Sequence, residues 1–338
     1  MTDTFGHLAD GRRVERCVLE AGETGLRVEL LTYGCIVRRI GVPLGTSRCD
    51  AVVGFDSLDA YEADASYQGC IVGRLTNRIA GAAFDRDGQH YRITANEAPN
   101  ALHGGARGLS RRIWQVAPRA DQASPVVMTY VSPDGEEGFP GTCRITVQFS
   151  LPDPLTLRID YEAVVDRDCP VDLTHHIYFN LGSLPVEDHV LRIGGASIQE
   201  VDAAYLATGV ILPVAGTLFD LRRPRTIGAI EAGHHRQLTA IGLNQNWVLA
   251  GDAAPAATLT APDKAVAMEL TTDNPCLQVW AGLARSVFAA GAVALEPQGF
   301  IGAVNYPDLP SPWLRPGEVY RRATLYRFRR PSPEPPIS

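Results

Sequence analysis

The sequence predicts an all-β protein, a large sandwich or barrel with few short helices. Short β-type segments follow one another along the chain, separated by turns rich in Gly, Pro, Asp and Asn. Helical periodicity is almost absent, which disfavours alternating β-α units. One short helix is predicted over 57–65, with Ser57 as its N-cap. The predicted strands cover residues 26–32, 35–42, 51–54, 89–94, 126–131, 145–151, 155–165, 172–181, 265–271, 276–283, 292–297 and 319–328.

The chain of 338 residues is predicted to form one domain over residues 1–330. Large all-β sandwiches and barrels exceed the usual length of a domain, and no low-complexity linker interrupts this sequence. Residues 331–338 are rich in proline, which has no N–H group for a β-ladder. We therefore expect them to form a loose tail.

Composition excludes several classes of protein. With 45% hydrophobic and 20% charged residues the chain can bury a sizeable core, and its net charge of −7 with scattered basic residues lacks the footprint of a nucleic-acid binder. Seven cysteines without a C-x-x-C pair argue against a disulfide framework and a zinc ribbon. No signal-peptide pattern or run of about 18 apolar residues occurs, so we expect no membrane association and a cytoplasmic protein.

The segment 172–181 carries the strongest candidate site residue. Side chains alternate between the two faces of an extended strand. One face would be polar and the other apolar apart from His175. The polar face would hold Asp172, Thr174, His176, Tyr178 and Asn180. His176 is therefore predicted to face a polar cleft.

Two loops hold further polar residues. Arg74, Asn77 and Arg78 lie close together within 73–81, where a guanidinium fork can bind hydroxyls, carboxylates or phosphates, or simply lie on a solvated strand edge. His103 precedes Gly104 and Gly105, whose small size would let a ligand approach the backbone, although a turn-stabilising role is also open.

Two other stretches carry carboxylates. Residues 132–141 form a long acidic turn that lacks the ligand spacing of an EF-hand. In 294–298, alternation puts Glu296 and Gln298 on one face. The apolar neighbours of Glu296 could raise its pKa toward that of a general base, although an ordinary surface glutamate is equally consistent with the segment.

Other catalytic chemistries lack their motifs. Neither His175-His176 nor His234-His235 has the i, i+4 spacing of a helical zinc site, and no nucleophile elbow, phosphate loop or dinucleotide fingerprint is found. Lys264, the only lysine, lies in a turn-like stretch, which disfavours Schiff-base chemistry.

Taken together and in this order, these segments resemble the aldose 1-epimerase (galactose mutarotase) family. The resemblance spans about residues 34–326. The matching stretches are Gly73-Arg74-x-x-Asn77-Arg78-Ile79, Asn96 with Leu102-His103-Gly104-Gly105, the acidic turn 132–141, Leu173-Thr174-x-His176-x-Tyr178-Phe179-Asn180-Leu181, Glu296-x-Gln298 and Leu314-Arg315-Pro316-Gly317-Glu318-x-Tyr320.

The resemblance implies a large antiparallel β-sandwich of the mutarotase type, with a small-molecule sugar in an open cleft and with no cofactor and no metal. It implies Glu296 as general base and His176 as general acid, interconverting the α and β anomers of a free aldose such as glucose or galactose. The substrate-binding residues that it implies are Arg74, His103, Asn77, Asn244, Tyr178 and Gln298. We expect a monomer or a homodimer.

Two departures from the family pattern affect sugar preference. Asn244 stands where the family commonly has a substrate-binding aspartate, and residues 300–305 differ from a usual Pro-Asp-Ala pattern. Two alternatives stay open. One is an epimerase for a different or charged sugar (a pentose, a hexose 6-phosphate or a uronate), for which Arg107, Arg111 and Arg112 are candidates. The other is a sugar-binding module without turnover.

Overall fold

Residues 2–182, 184–238, 242–251, 255–281 and 291–330 are described by this computed structural model. In chain order the first strands are β1 Thr2–His7, β2 Arg13–Glu20, β3 Arg27–Leu31, β4 Ile36–Leu44, β5 Ser47–Asp50, β6 Ile71–Val72, β7 Arg78–Ile79, β8 Ala83–Arg86, β9 Gln89–Arg92, β10 Ala101–Leu102, β11 Gln115–Val116, β12 Val126–Ser132, β13 Cys143–Asp153 and β14 Thr156–Val165. The remaining strands are β15 Cys169–Pro170, β16 Thr174–His175, β17 Tyr178–Phe179, β18 Val190–Ile193, β19 Ser197–Val201, β20 Ala207–Pro213, β21 Arg225–Thr226, β22 Asn244–Val248, β23 Ala257–Thr260, β24 Ala267–Thr272, β25 Cys276–Trp280, β26 Val293–Gln298, β27 Trp313–Leu314 and β28 Tyr320–Arg329.

Helix is scarce among the described residues. The helix α1 is Leu58–Ala63 and α2 is Ile227–Glu231, and short 3-10 turns occur at Ala80–Ala82, Leu109–Arg111, Glu136–Gly138, Val186–Asp188 and Ala303–Asn305. The predicted cap is confirmed: Ser57 accepts a hydrogen bond from the N–H of Ala60 at 3.3 Å. Within the described ranges, no helix is long and apolar enough to cross a membrane.

Three antiparallel sheets hold most of the strands. The five-stranded sheet has the order β1-β2-β3-β4-β5, the nine-stranded sheet β11-β12-β13-β14-β28-β24-β23-β18-β21, and the six-stranded sheet β17-β26-β25-β22-β19-β20. Strand alternation places the apolar side chains of all three in one core. Phe179 of β17 meets Tyr326 of β28 with ring centroids 5.2 Å apart, which joins the six-stranded sheet to the nine-stranded one. The predicted all-β sandwich is confirmed.

The continuous strand predicted over 172–181 is wrong. The chain forms two short strands that pair with different partners, because Thr174 lies opposite Val72 of β6 whereas Tyr178 lies opposite Ala294 of β26. His175 nevertheless points into the core, where its Nδ1 lies 2.8 Å from the Tyr161 hydroxyl and its Nε2 lies 2.9 Å from the carbonyl oxygen of Cys35.

The single domain over residues 1–330 stays a prediction. The proline-rich tail, 331–338, lies outside the described residues.

Candidate active site

One face of the six-stranded sheet is a buried polar row. In register across β22, β25 and β26 lie Asn246, Gln278 and Glu296, and paired residues of antiparallel strands project to the same side. All three are at most 2% exposed. Their neighbours along the strands, including Val279 and Leu295, project to the other side and enter the core. The sheet thus packs an apolar core on one face and holds chemistry on the other.

A small pocket of about 80 Å³ lies at this row. Its walls come from the six-stranded sheet, the loop after α1, residues 73–81 (the arginine loop), residues 96–105 (the His103 loop) and the segment between β16 and β17. The lining residues are Ala65, Ser66, Tyr67, Asn77, Arg78, Leu102, His103, His176, Asn244, Gln278, Trp280 and Glu296. His176 and Glu296 face each other there, with Nε2 and Oε1 3.5 Å apart.

Burial shifts the two titrating groups of this pair in opposite directions. Removal from water penalises the charged forms, which raises the pKa of Glu296 to about 8 and lowers the pKa of His176 to about 4. The proton shared by the pair therefore rests on Glu296 in the unliganded pocket. Glu296 Oε2 and His176 Nδ1 have no hydrogen-bond partner within the described part of the chain.

His103 is held as a neutral hydrogen-bond donor. The N–H of Asn77 donates to His103 Nδ1 at 3.2 Å, so the neutral ring carries its hydrogen on Nε2. Burial and the neighbouring His176 keep the pKa of His103 well below its ordinary value. The ring of Tyr67 packs edge-on against His103, with centroids 4.8 Å apart, which fixes its orientation.

The arginine of the pocket is Arg78. It lines the pocket and donates two hydrogen bonds to Glu97, from Nε at 2.6 Å and from Nη2 at 2.8 Å. Its guanidinium also lies over the ring of Tyr205, 5.1 Å from the centroid. The side chain is thus fixed before any ligand arrives.

Arg74, the arginine that the sequence favoured, lies elsewhere. Its guanidinium is buried and donates to Ser132 Oγ and to the carbonyl oxygens of Ser132, Pro133, Pro140 and Gly141, at 2.8–3.0 Å. These contacts tie down the acidic turn and leave no donor for a sugar. We therefore withdraw Arg74 from the predicted binding residues, because the fold of its loop turns it away from the pocket.

The other predicted binding residues separate into two groups. Asn77 and Asn244 line the pocket, and Asn244 Oδ1 accepts a hydrogen bond from Gln278 Nε2 at 2.6 Å, which leaves the Asn244 amide N–H groups as its donors. Tyr178 and Gln298 do not line it. Tyr178 supports His176, with ring centroids 4.8 Å apart, and Gln298 is fully buried farther along the same sheet face.

Sequence reasoning missed Tyr67, Gln278 and Trp280. The last two belong to a predicted strand, and alternation alone would have put them on one face. Their nearness to Glu296 could not be read, because nothing local says that β25 pairs with β26. The buried indole Nε1–H of Trp280 has no acceptor among the described residues and is free to bind a ligand.

Gly104, which follows His103, allows a close approach between two backbone segments. Gly104 has φ +85°, and a Cβ there would lie 1.8 Å from the carbonyl oxygen of Gly73. Glycine at 104 therefore lets the His103 loop touch the arginine loop. The close approach observed at Gly104 is thus one between two backbone segments.

His103, His176 and Glu296 have the residue types of a zinc site, with one ligand atom of each within 4.8 Å of the others. The surroundings of His103 oppose this use. Its Nδ1 already accepts the N–H of Asn77, and its Nε2 then carries a hydrogen instead of a free lone pair. The acidic turn 132–141 uses a carboxylate within the protein: Glu136 accepts hydrogen bonds from the hydroxyl groups of Tyr130 and Ser132.

The described part of the chain is an antiparallel β-sandwich in which one polar sheet face holds a buried histidine and a buried glutamate at a small pocket. A sequence model of the aldose 1-epimerase family matches residues 16–327. The chain belongs to this family and is an isomerase.

Relatives match over nearly the full length. The chain is 35% identical to a galactose mutarotase of Bos taurus (96% of this chain, 97% of the relative) and 31% identical to an aldose 1-epimerase of Escherichia coli K12 (95% and 97%). Among solved structures, a GalM/aldose epimerase homologue from C. elegans superposes with a TM-score of 0.84 at 28% identity, covering 93% of this chain and 99% of that one. A galactose 1-epimerase from Lactobacillus acidophilus shares the fold, with a TM-score of 0.86 at 24% identity and coverage of 97% and 98%.

Proposed function

We propose that this aldose 1-epimerase interconverts the α and β anomers of a free aldose such as glucose or galactose, with His176 and Glu296 as its acid and base. The observation that carries the proposal is the 3.5 Å contact between His176 Nε2 and Glu296 Oε1 inside a buried pocket. A proton donor and a proton acceptor lie there within reach of one small molecule.

The reaction needs two proton transfers and no covalent intermediate. The Glu296 carboxylate takes the proton of the C1 hydroxyl while the His176 imidazolium protonates the ring oxygen, and the bond between C1 and the ring oxygen breaks. The open-chain aldehyde rotates, and the ring closes on its other face with both transfers reversed. After ring opening Glu296 is protonated and His176 is neutral. Burial favours that same pattern, so the pocket is adapted to the intermediate.

The pocket offers several fixed groups for sugar hydroxyls. The proposed donors are the Nε2–H of His103, the amide of Asn244 and the indole N–H of Trp280, and the unpaired Oε1 of Gln278 is an acceptor. Arg78, already oriented by Glu97, completes the set. Hydroxyls both donate and accept, so a neutral sugar can satisfy every one of these groups.

The arginines that would have favoured a charged sugar have other partners. Arg111 donates to the carbonyl oxygens of Tyr61 and Glu62, each at 3.0 Å, and Arg112 pairs with Glu136 at 3.0 Å. Arg107 is exposed and does not line the pocket. These contacts support a neutral aldose over a phosphorylated or acidic one.

The experiment follows the optical rotation of freshly dissolved α-D-glucose and α-D-galactose with wild-type protein. Glucose 6-phosphate and glucuronate serve as charged comparisons. We expect faster anomerisation of the neutral sugars. Sugar binding without acceleration of any of the four would contradict the proposal and favour a binding module. The cytoplasmic location and the monomeric or dimeric state are proposed on the sequence alone.

A further inference from the structure

Asp172 is a buried carboxyl group that the proposed mechanism does not use. It is 8% exposed and lies at the wall of a separate cavity of about 380 Å³, whose lining includes neither His176 nor Glu296. Its carboxyl oxygens accept a hydrogen bond from the hydroxyl of Thr76, and the N–H of Gly299 lies 3.0 Å from each of them. Its own N–H donates to the carbonyl oxygen of Arg74 at 2.7 Å.

These partners lie on three of the segments that line the active site. Thr76 immediately precedes Asn77 and Arg78, Gly299 follows Glu296 by three residues, and Asp172 itself precedes His176 by four. One side chain therefore joins the segments of the substrate arginine, the base and the acid. No other described carboxylate contacts all three segments through hydrogen bonds to its oxygens and its backbone.

We propose that Asp172 is a positioning residue that sets the distance between His176 and Glu296 and the placement of Arg78. The proposal rests on the proposed epimerase function. Groups behind a catalytic site fix reacting side chains because their hydrogen bonds restrict the backbone that carries them. A displacement of about 1 Å at the reacting groups can cost about 10²-fold in rate.

The contacts of Asp172 call for an acceptor rather than a charge. A backbone N–H and a hydroxyl surround the carboxyl, and neither is a cation. Burial raises the pKa of Asp172 and outweighs the opposing effects of the Thr76 and Gly299 hydrogen bonds and of the charge of Arg322. An amide of the same shape would accept from the Gly299 N–H with its oxygen at the Oδ1 position and donate to the Thr76 hydroxyl with its nitrogen, so that only the second contact of the Gly299 N–H would be lost.

The main test compares Asp172→Asn with Asp172→Ala in the anomerisation assay. We expect Asp172→Asn to retain at least about a third of the wild-type kcat/KM. Asp172→Ala should lose about 10–100-fold, in line with a small displacement of the reacting groups. Rescue by the amide distinguishes positioning from a need for negative charge.

Thr76→Val removes only the side-chain hydrogen bond between Asp172 and the Arg78 segment and leaves the backbone hydrogen bond from Asp172 to Arg74 in place. We expect it to raise KM by more than it lowers kcat, because Glu296 and His176 keep their own connections. Thr76→Ser, which keeps the hydroxyl, is the matched control and should match wild type in both constants.

Gly299→Ala tests the same contact without touching Asp172. A Cβ at Gly299 would lie 3.2 Å from the carboxyl carbon and from both oxygens of Asp172, so the two segments must move apart by a few tenths of an ångström. We expect a lower kcat in the wild-type background and no further loss in the Asp172→Ala background, where the space is free. Such non-additivity measures the coupling directly.

Wild-type kcat/KM in Asp172→Ala, or equal losses in Asp172→Asn and Asp172→Ala, would overturn the proposal. If Asp172→Ala fails to fold, the other variants test the proposal. An unchanged KM in Thr76→Val, compared with Thr76→Ser, together with an unchanged kcat in Gly299→Ala would overturn it. Failure of the proposed epimerase function is distinguishable from these outcomes, because the wild-type protein would then show no anomerisation at all.

Discussion

The active-site pair owes its chemistry to its burial. Glu296 and His176 are 2% and 3% exposed. Burial raises the pKa of Glu296 and lowers the pKa of His176, so the neutral form of each is favoured. The pair therefore holds one proton over a wide pH range, with Glu296 as its resting place. The active arrangement for a cyclic sugar, carboxylate with imidazolium, has the same number of protons and differs only in where the proton lies.

The pH dependence of wild-type kcat/KM follows from this. Below about pH 4 both groups are protonated and the base is lost, whereas above about pH 8 the last proton leaves and the acid is lost. We expect a bell-shaped profile with limbs near these two values, measured with galactose after subtraction of buffer catalysis. A profile that rises near pH 4.5 and falls near pH 6.5, the order of the unperturbed groups, would contradict the account.

At single positions the sequence predicted some side-chain directions and not others. Alternation correctly put His176 in the pocket and His175 in the core, because that rule acts between neighbouring residues. Alternation could not predict which of Arg74 and Arg78 lines the pocket. Those two belong to a loop whose turns are set by contacts with the acidic turn and with Glu97, at distant places in the chain.

At the scale of elements, Arg74 and Arg78 lie in the same loop but have different partners and different roles. Arg74 fastens the acidic turn through five hydrogen bonds to oxygen, all of them to residues 132–141. Arg78 lines the pocket and is paired with Glu97, whose side chain is 41% exposed. One arginine therefore supports stability and the other binding.

Arg74→Met and Arg78→Met should separate these roles. Arg74→Met leaves buried carbonyl oxygens without donors and should lower the free energy of unfolding by about 3 kcal/mol. Arg78→Met leaves only a partly exposed carboxylate unpaired, so it should cost less than about 1 kcal/mol in stability but raise KM at least about tenfold. Urea unfolding and initial rates measure both. A larger KM effect from Arg74→Met would reverse the assignment.

Pairing between strands was the element-level feature that the sequence could not supply. Glu296 was placed on a polar face by alternation, but the row that it shares with Gln278 and Asn246 depends on which strands become neighbours. The same limit explains the split of the segment 172–181. Its two halves pair with strands about a hundred residues away in opposite directions along the chain.

For the whole molecule, the active site costs stability. A carboxyl whose pKa is about 8 when folded and 4.5 in the reference state binds more protons when folded. The contribution of Glu296 to the free energy of unfolding is therefore fully present well below pH 4.5 and is lost as the pH rises to about 8. The sandwich core has to compensate for this loss at neutral pH.

Glu296→Gln should therefore be more stable than wild type at pH 7.5. The expected gain is on the order of 1–4 kcal/mol; it should fall below about 0.5 kcal/mol near pH 4.5, where Glu296 of the unfolded chain is half ionised, and vanish at lower pH. Thermal unfolding between pH 4.5 and 8 measures it, with Glu23→Gln as an exposed control. Equal stability of wild type and Glu296→Gln at pH 7.5 would show that Glu296 is not desolvated.

The overall fold was the most predictable property. Turn residues between short apolar segments indicate an all-β chain, and the ordered motifs that resemble the aldose 1-epimerase family indicate the sandwich. The helix α2 was missed. It has five residues and rests on the Thr226 cap and on the burial of Ile227 and Ile230, which are too few positions for a visible periodicity.

The most direct test of the account is the rate of exchange between the α and β anomers of galactose at equilibrium, measured by proton NMR. It should be measured for wild type, His176→Asn, Glu296→Gln and the exposed control His90→Asn. We expect a loss of about 10²–10⁴-fold in each of the two site variants and none in the control, with sugar binding retained. A variant of either site residue that keeps more than about a tenth of the wild-type exchange rate would contradict the assignment of His176 and Glu296 as the acid and the base.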